Sequence, residues 1–291
     1  MAAPARPRVL VGGSAVAGHA LEVSTTRDRE LVRSFLEGDR LMSGYAYCAL
    51  DERPFAQSRW SIATRDREPV ALVVEQGGPT PQPVYVTGEP DAVELLLRNV
   101  ARPWSAYISG LPELIPAIAR LYRLEPGPQM VRMAVDRERF RPYAGPVQRL
   151  IPASIGELNR MYDLGFTAWL PSEAIAEGVY YGLRVAGRLV AAAGTHAISR
   201  EGRMGIVGNV MTIRSYQGRG FAKATTSAVT AELLRTCDDV ILNVRSDNPP
   251  ALATYRALGF HEHARFEERL AHRRAGGWAA LIGVVRRSLG L

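Results

Sequence analysis

An apolar run that ends in two glycines and passes straight into an alanine-rich helix leaves a chain few ways to fold. Residues 205–223, GIVGNVMTIRSYQGRGFAK, read in that order: a strand, a loop with Gly218 and Gly220 around Arg219, and a helix continuing as ATTSAVTAELLRT. The first N–H groups of a helix lack partners inside it and carry partial positive charge. Such an end holds phosphate, and glycine lets the phosphate come close to the backbone. Arg219 and Lys223 add charge at the same place. A tight strand-to-helix turn without a ligand explains the loop alone equally well, so the surrounding chain has to decide.

The surroundings read as a mixed α/β sheet. VQRLI predicts a strand, and ASIGELNRMYDLGF a helix with Ile155, Leu158, Met161 and Leu164 on one face. Two apolar runs flank Ala186-Gly187 in GVYYGLRVAGRLVAAAGTHAIS, a hairpin signal. DVILNV is a strand and PPALATYRAL a helix, with Pro249 and Pro250 suited to its first turn and Gly259 to its end. FHEHARFEERL closes as a strand. The order is βα, three strands, then α, β, α, β: antiparallel strands first, a βαβ crossover later.

The first half echoes the second. PVYVTGEPDAVELLLRNV reads strand, turn, helix; SAYIS, PELIPAIARLYRL and QMVRMAV follow as strand, helix and strand. A shift of 134 residues sets Ala117, Ile118, Ala119 and Leu124 on Ala251, Leu252, Ala253 and Leu258, the mark of a diverged tandem repeat. Between the halves RERFRPYAGPV, punctuated by Pro142, Gly145 and Pro146, reads as a linker. Two domains are expected, residues 1–140 and 148–291.

Composition removes several functions. Of 36 basic Lys and Arg residues only Lys223 is lysine, and the arginines behind the net charge of +7 are scattered, with no basic block or aromatic stripe for nucleic acid. Cys48 and Cys237 stand far apart with no metal spacing, as in a cytoplasmic protein with free thiols. No run reaches the roughly 18 apolar residues of a membrane span. The opening MAAPARPRVLVGGSAVAGHALE is too broken by Gly12 and Gly13 for a signal peptide and predicts a frayed tail or a strand near Val9–Val11.

Gln217 to Ala222, QGRGFA, fits Gln/Arg-x-x-Gly-x-Gly/Ala, and LNVRSDNPPALATYRALGF comes after it with a strand, two asparagines, a helix, a tyrosine and Leu-Gly-Phe. Loop and downstream segment together resemble the GNAT superfamily of acyl-CoA-dependent N-acetyltransferases over about residues 148–270. The resemblance implies two GNAT-like domains, with the second catalytic and the first degenerate. It implies that Gln217, Gly218, Arg219, Gly220, Phe221, Ala222 and Lys223 wrap the pyrophosphate of acetyl-CoA. Val210, Met211 and Thr212 would pair with the pantetheine arm where their strand splays from Leu242–Val244. A backbone N–H near Met211 would polarise the acetyl carbonyl, Asn248 would touch the cofactor, and Tyr255 would protonate the leaving thiolate.

Each residue keeps a plainer reading. Tyr255 can be core with its hydroxyl tied to backbone, and Asn243 can end its strand instead of meeting the cofactor. His196, the general-base candidate, can be a satisfied core histidine. Glu173 and Glu177 are rival bases or solvated loop carboxylates, and Asn209 lines the cleft beside the carbonyl. His261 and His263 alternate on the closing strand like half a metal site, but no third ligand accompanies them, so no metal is expected. The first half lacks the loop. Its turn TGEPDAVELL puts Glu89 and Asp91 at a helix start, where they cap the helix and repel a pyrophosphate, and Leu121 replaces the tyrosine. The tail GWAALIGVVRRSLGL sets Trp278, Leu281, Ile282, Val285 and Leu289 on one helical face, beside Arg286 and Arg287. That face suits the other domain or a second subunit, as in a homodimer, better than a membrane surface.

The expected function is acetyl transfer from acetyl-CoA to a primary amine, by direct attack in a ternary complex. The alternative is a non-catalytic acyl-CoA-binding module. A doubly wound nucleotide-binding protein is weaker, because the glycines come after several strands rather than after the first.

Overall fold

The structure, a computed structural model, describes residues 20–78, 80–162 and 170–274. The strand expected near Val9–Val11, Leu164 and the apolar tail from Trp278 onward lie outside the described residues. The first elements among the described residues are β1 (Leu21–Thr26) and three helices, α1 (Arg29–Glu37), α2 (Gly44–Cys48) and α3 (Glu52–Gln57). A meander comes next, β2 (Arg59–Arg65), β3 (Glu68–Glu75) and β4 (Gln82–Gly88), then α4 (Pro90–Asn99), β5 (Ser105–Gly110), α5 (Ile115–Leu121), β6 (Tyr122–Leu124) and β7 (Gln129–Val135). After the linker stand β8 (Val147–Arg149), α6 (Ile155–Tyr162), α7 (Ser172–Glu177), β9 (Tyr181–Val185), β10 (Arg188–Ser199) and β11 (Met204–Thr212). The chain then forms α8 (Phe221–Leu233), β12 (Asp239–Arg245), α9 (Pro249–Ala257) and β13 (His261–Arg273). Mixed α/β order, antiparallel strands before a crossover, is what the sequence leads one to expect.

Two compact units form, and neither is one block of sequence. Among the described residues, 20–28, Gln57–Gly127 and 267–274 belong to the first; Arg29–Ala56 and Pro128–Phe266 belong to the second. This differs from a division at residues 140 and 148, and strand pairing is the reason. The strand β7 bonds antiparallel to β12, from Val135 with Val240 to Met130 with Arg245. It therefore joins the second unit although it precedes the linker. The end of β13 pairs with β5 of the first unit, from Glu267 with Gly110 to His272 with Ser105.

In the first unit β1, β2, β3 and β4 pair antiparallel in sequence order, and α4 carries the chain over to β5, which runs parallel to β4. Val84, Val86 and Ile108 of the sheet and Val93, Leu96 and Leu97 of α4 share one buried cluster. Spacing of three and four along α4 puts its apolar side chains on one face, which the sheet covers.

The second unit repeats the plan. Its strands β8, β9, β10 and β11 pair antiparallel, and α8 crosses over to β12, parallel to β11. Val207, Val229, Leu233, Val240 and Leu242 fill the core between them. The Ala186-Gly187 turn has φ of 48° and 77°, the left-handed pair that a two-residue hairpin requires. Among the described residues no helix is long and apolar enough to cross a membrane.

Candidate functional site

In the second unit β11 and β12 pair from Met204 with Asp239 to Val207 with Leu242, and beyond these residues they part. A cleft of about 770 Å³ opens there, running from the start of α8 past both strands to α9. The parting stems from a local irregularity. The register of β11 against β10 shifts between Ala192 and Gly194, and Asn209 adopts φ 52°. An extra residue of this kind bends a strand and leaves its backbone unpaired; asparagine is among the few side chains at ease in that conformation.

The ladder decides which backbone donors face the cleft. The Ile213 N–H bonds the Val190 carbonyl at 2.9 Å, and Met211 lies opposite Ala192. Hydrogen-bonded and non-bonded pairs alternate in an antiparallel ladder, so the Met211 N–H turns toward β10. The N–H groups of Val210 and Thr212 turn to the side that β12 has left. The donor expected near Met211 thus falls to its neighbours. The Thr212 hydroxyl is buried there without a hydrogen-bond partner among the described residues.

At one end of the cleft lies the glycine loop. Gly218 and Gly220 have φ of 76° and 77°, a conformation that side chains with a Cβ resist, and Gly220 is the N-cap of α8. The amides of Phe221, Ala222 and Lys223 open the helix with no intrahelical partner, and all three residues line the cleft. The Gln217 amide donates to the Thr212 carbonyl at 3.2 Å and ties the loop to its strand. Lys223, the chain's one lysine, has Nζ 4.5 Å from the ring centre of Tyr143. Arg219 is not a lining residue; its guanidinium lies over the Tyr216 ring at 5.3 Å and reaches the Ser215 carbonyl at 3.4 Å.

At the other end His196 faces the cleft from β10. A Cβ on Gly208 would come within 2.2 Å of the imidazole, so glycine there makes room for the ring. The imidazole Nε2 lies 3.2 Å from Asn209 Oδ1, and Nδ1 lies 2.6 Å from the Tyr45 hydroxyl. The Asn209 amide also donates to the Tyr180 hydroxyl at 2.9 Å, and the Tyr162 hydroxyl donates to the Asn209 carbonyl. His196 is exposed at the surface of the cleft, yet the protein groups packed around its ring displace part of its hydration. That desolvation pulls its pKa below the ordinary imidazole value, against the opposing pull of the Asn209 bond.

Tyr255 lines the cleft from α9, its ring edge-on to Phe260. Burial pushes its pKa up to about 12, so the hydroxyl holds its proton at neutral pH. Asn243 lines the cleft from β12, but its amide oxygen accepts from Arg132 Nε at 2.6 Å. Asn248 caps α9 by accepting from the Ala251 N–H at 3.2 Å, with its residue still on the cleft wall. Glu173 and Glu177 lie outside the lining residues, Glu177 near Arg53 at 3.4 Å and Glu173 with Ser172. His263 Nε2 bonds Asp39 at 2.7 Å, and no group of three metal-ligating side chains exists among the described residues.

Sequence reasoning missed Tyr45, Arg132 and Tyr180. Arg132 is 2% exposed and bonds the Leu41 and Met42 carbonyls at 2.8 Å, with Tyr45 and Phe266 flanking its guanidinium. Tyr45 is 151 positions from His196, beyond the reach of any local pattern.

The FR47-like protein family matches residues 180–270, which hold β9 to β12, the loop and most of β13. No curated protein matches the chain. Among solved structures, a Drosophila protein aligns with a TM-score of 0.64 at 13% identity, covering 86% of this chain and 98% of its own. A GCN5-related N-acetyltransferase from Sphaerobacter thermophilus gives 0.57 at 14% identity over 87% of this chain and 95% of that one. A tandem GNAT protein from the clavulanic acid biosynthesis pathway gives 0.55 at 13% identity, over 88% and 99%.

Proposed function

We propose, for a chain whose fold is that of the tandem GNAT acyltransferases, that its second unit transfers an acetyl group from acetyl-CoA to a primary amine. One observation carries this reading: the cleft where β11 leaves β12 begins at the bare N-terminus of α8. A phosphate-holding helix end and an unpaired strand edge are thereby joined in one groove.

The residues present fit acyl-CoA. Two left-handed glycines let a pyrophosphate reach the amides of residues 221–223, which the helix dipole and Lys223 favour. Val210 and Thr212 offer backbone donors on the strand edge that β12 has left. When bound, acetyl-CoA supplies a thioester carbonyl. The Val210 N–H polarises that carbonyl; a donor aimed at developing oxyanion charge is typically worth ~3 kcal/mol. Tyr255 gives its proton to the departing sulfur and recovers one from solvent. The amine nitrogen loses a proton, its bond to the acyl carbon forms, and the carbon–sulfur bond breaks. Attack is direct, since no cysteine lines the cleft and both thiols are buried elsewhere. Holding two substrates together supplies much of the acceleration. The free thiols fit a cytoplasmic setting.

The test is an acetyl-CoA consumption screen across primary amines, with released thiol as readout, beside calorimetry with CoA and NAD. Thiol release with CoA binding is expected. NAD binding without CoA binding would overturn the reading, and CoA binding with no acetylated amine would leave an acyl-CoA-binding module.

A further inference from the structure

The segment Arg29–Ala56 brings one phenol against His196, which lines the cleft; Tyr45 is not itself a lining residue, and its bond to the imidazole lies exposed to solvent. The direction of each bond there is forced. The Tyr180 hydroxyl gives its single proton to the Thr195 carbonyl at 3.0 Å. Toward Asn209 it can only accept, so the Asn209 amide nitrogen faces it at 2.9 Å. The amide oxygen of Asn209 is thereby turned to His196 Nε2 at 3.2 Å. An amide oxygen never donates, so Nε2 carries the proton of the neutral ring. The basic nitrogen is Nδ1, and the Tyr45 hydroxyl, 2.6 Å away, donates to it. No amine reaches that lone pair while the hydroxyl is in place.

We propose that Tyr45 takes the proton of the attacking amine and passes its own phenolic proton to His196 Nδ1. The inference rests on the amine acyltransferase reading above. One ammonium N–H bond breaks as its proton joins the Tyr45 oxygen. The Tyr45 O–H bond breaks as that proton joins Nδ1, leaving a neutral tyrosine and an imidazolium that later releases its proton to solvent. Several groups face this pair. Arg132 of β7 lies 5.4 Å from the centre of the Tyr45 ring, Asn209 belongs to β11, and Tyr180 and Tyr162 stand behind Asn209. The Arg132 cation makes the phenol a better proton donor to His196. Its bonds to the Leu41 and Met42 carbonyls also hold the start of α2, and so Tyr45, in position.

Tyr45→Phe tests the relay because it keeps the ring over Arg132 and removes only the hydroxyl. With acetyl-CoA and the primary amine that the screen finds best, its kcat should fall about 100-fold at pH 7. The KM for acetyl-CoA should not move. The loss should shrink as pH approaches the amine's own pKa, where the nucleophile arrives unprotonated. His196→Gln should show the same pH-dependent loss, and the double variant should be no worse than either single one. Nitrogen-15 NMR of the wild-type imidazole, with no acceptor added, should report the Nε2–H tautomer. An Nδ1–H tautomer, a Tyr45→Phe rate equal to wild type, or a loss constant across pH would each overturn the relay alone. A wild-type chain that binds CoA yet acetylates no amine would overturn the reading beneath it.

Discussion

The first and second units share one plan and end with different surfaces. In both, a parallel pair of strands bonds through four partners and then parts: Gln82–Tyr85 with Ala106–Ser109, and Met204–Val207 with Asp239–Leu242. Past the point of parting the two units diverge. From Val84 to Gly88, β4 keeps regular register against β3, and only Glu89 separates it from α4. In the second unit the register of β11 shifts, Asn209 turns left-handed, and residues 213–220 intervene before α8. In the first unit Val86 packs against Gly110, where a Cβ would come within 2.6 Å of Val86 Cγ2. Val86, Ile108 and Leu114 belong to one buried core cluster there. The charge differs as well. Glu89 sits at the N-cap of α4 with its carboxylate paired to Arg65, while Gly220 leaves the start of α8 bare. A bulge and a glycine loop set the cleft of the second unit apart from the regular strands and short turn of the first.

The sharpest way to break this comparison is to remove chemistry from one unit and packing from the other. Tyr255→Phe keeps the buried ring and deletes the proton, so kcat should drop by about 10²–10⁴ with acetyl-CoA affinity nearly unchanged. Leu121→Ala, at the position the tandem shift sets on Tyr255, packs against the first unit's core and should lower the melting temperature alone. Steady-state rates, one titration and one melt distinguish the outcomes. A normal rate in Tyr255→Phe would make Tyr255 a core residue and leave the two units alike.

The loop comes next in size. At Gly220 a β-branched side chain must take φ 77° and meet the Tyr143 hydroxyl, 3.1 Å from an ideal Cβ. Gly220→Val should weaken CoA binding by about 100-fold, or about 2.7 kcal/mol, with the fold retained. Unchanged affinity in calorimetry would take the loop out of the cofactor site.

The same contrast explains what the sequence made legible. The Ala186-Gly187 hairpin, the crossover through α8 and the stop at Gly259 could be read because turn chemistry and periodicity are local. The cleft's loop could be read for the same reason, since two glycines shortly beyond a strand leave a short-range signature. The assignment of Arg29–Ala56 and β7 to the second unit could not be read. It depends on contacts such as Arg132 with Leu41 and Asn243, across 91 and 111 positions. Tyr45 was invisible for that reason. Glu89 was placed correctly at a helix start but given the wrong partner. Its carboxylate makes no cap bond and instead takes two bonds from Arg65, at 2.8 and 2.6 Å.

A smaller effect tests whether the first unit is closed by packing. Val86→Ala removes two methyl groups from a site 1% exposed and should cost about 2 kcal/mol of stability. The CoA stoichiometry should stay at one per chain, because a cavity does not supply the missing loop. A second CoA, bound either to the wild-type chain or to this variant, would show that the first unit holds a latent site.

The smallest expected effect is on pH, where the two units should respond separately. On the proposed reading His196 receives the proton as a neutral imidazole, and desolvation has lowered its pKa, so acid must go below the ordinary imidazole value of about 6.5 before the base is lost. The acid limb of kcat/KM should therefore lie below that value. The same shift costs stability on the acid side, since the unfolded chain takes this proton more readily than the folded one and does so from about pH 6.5 downward. Glu89 acts later. Hydrogen bonds from Arg65 hold its pKa below the usual carboxylate range, so its contribution is complete above the ordinary glutamate value and fades as pH falls through the lowered one. The pair lies near the surface, and salt screens it. Acid should thus quench turnover first, and Glu89→Gln should leave that limb in place while flattening the later fall in melting temperature. An activity limb that moves with Glu89→Gln would mean that the two units do not divide chemistry and scaffold in this way.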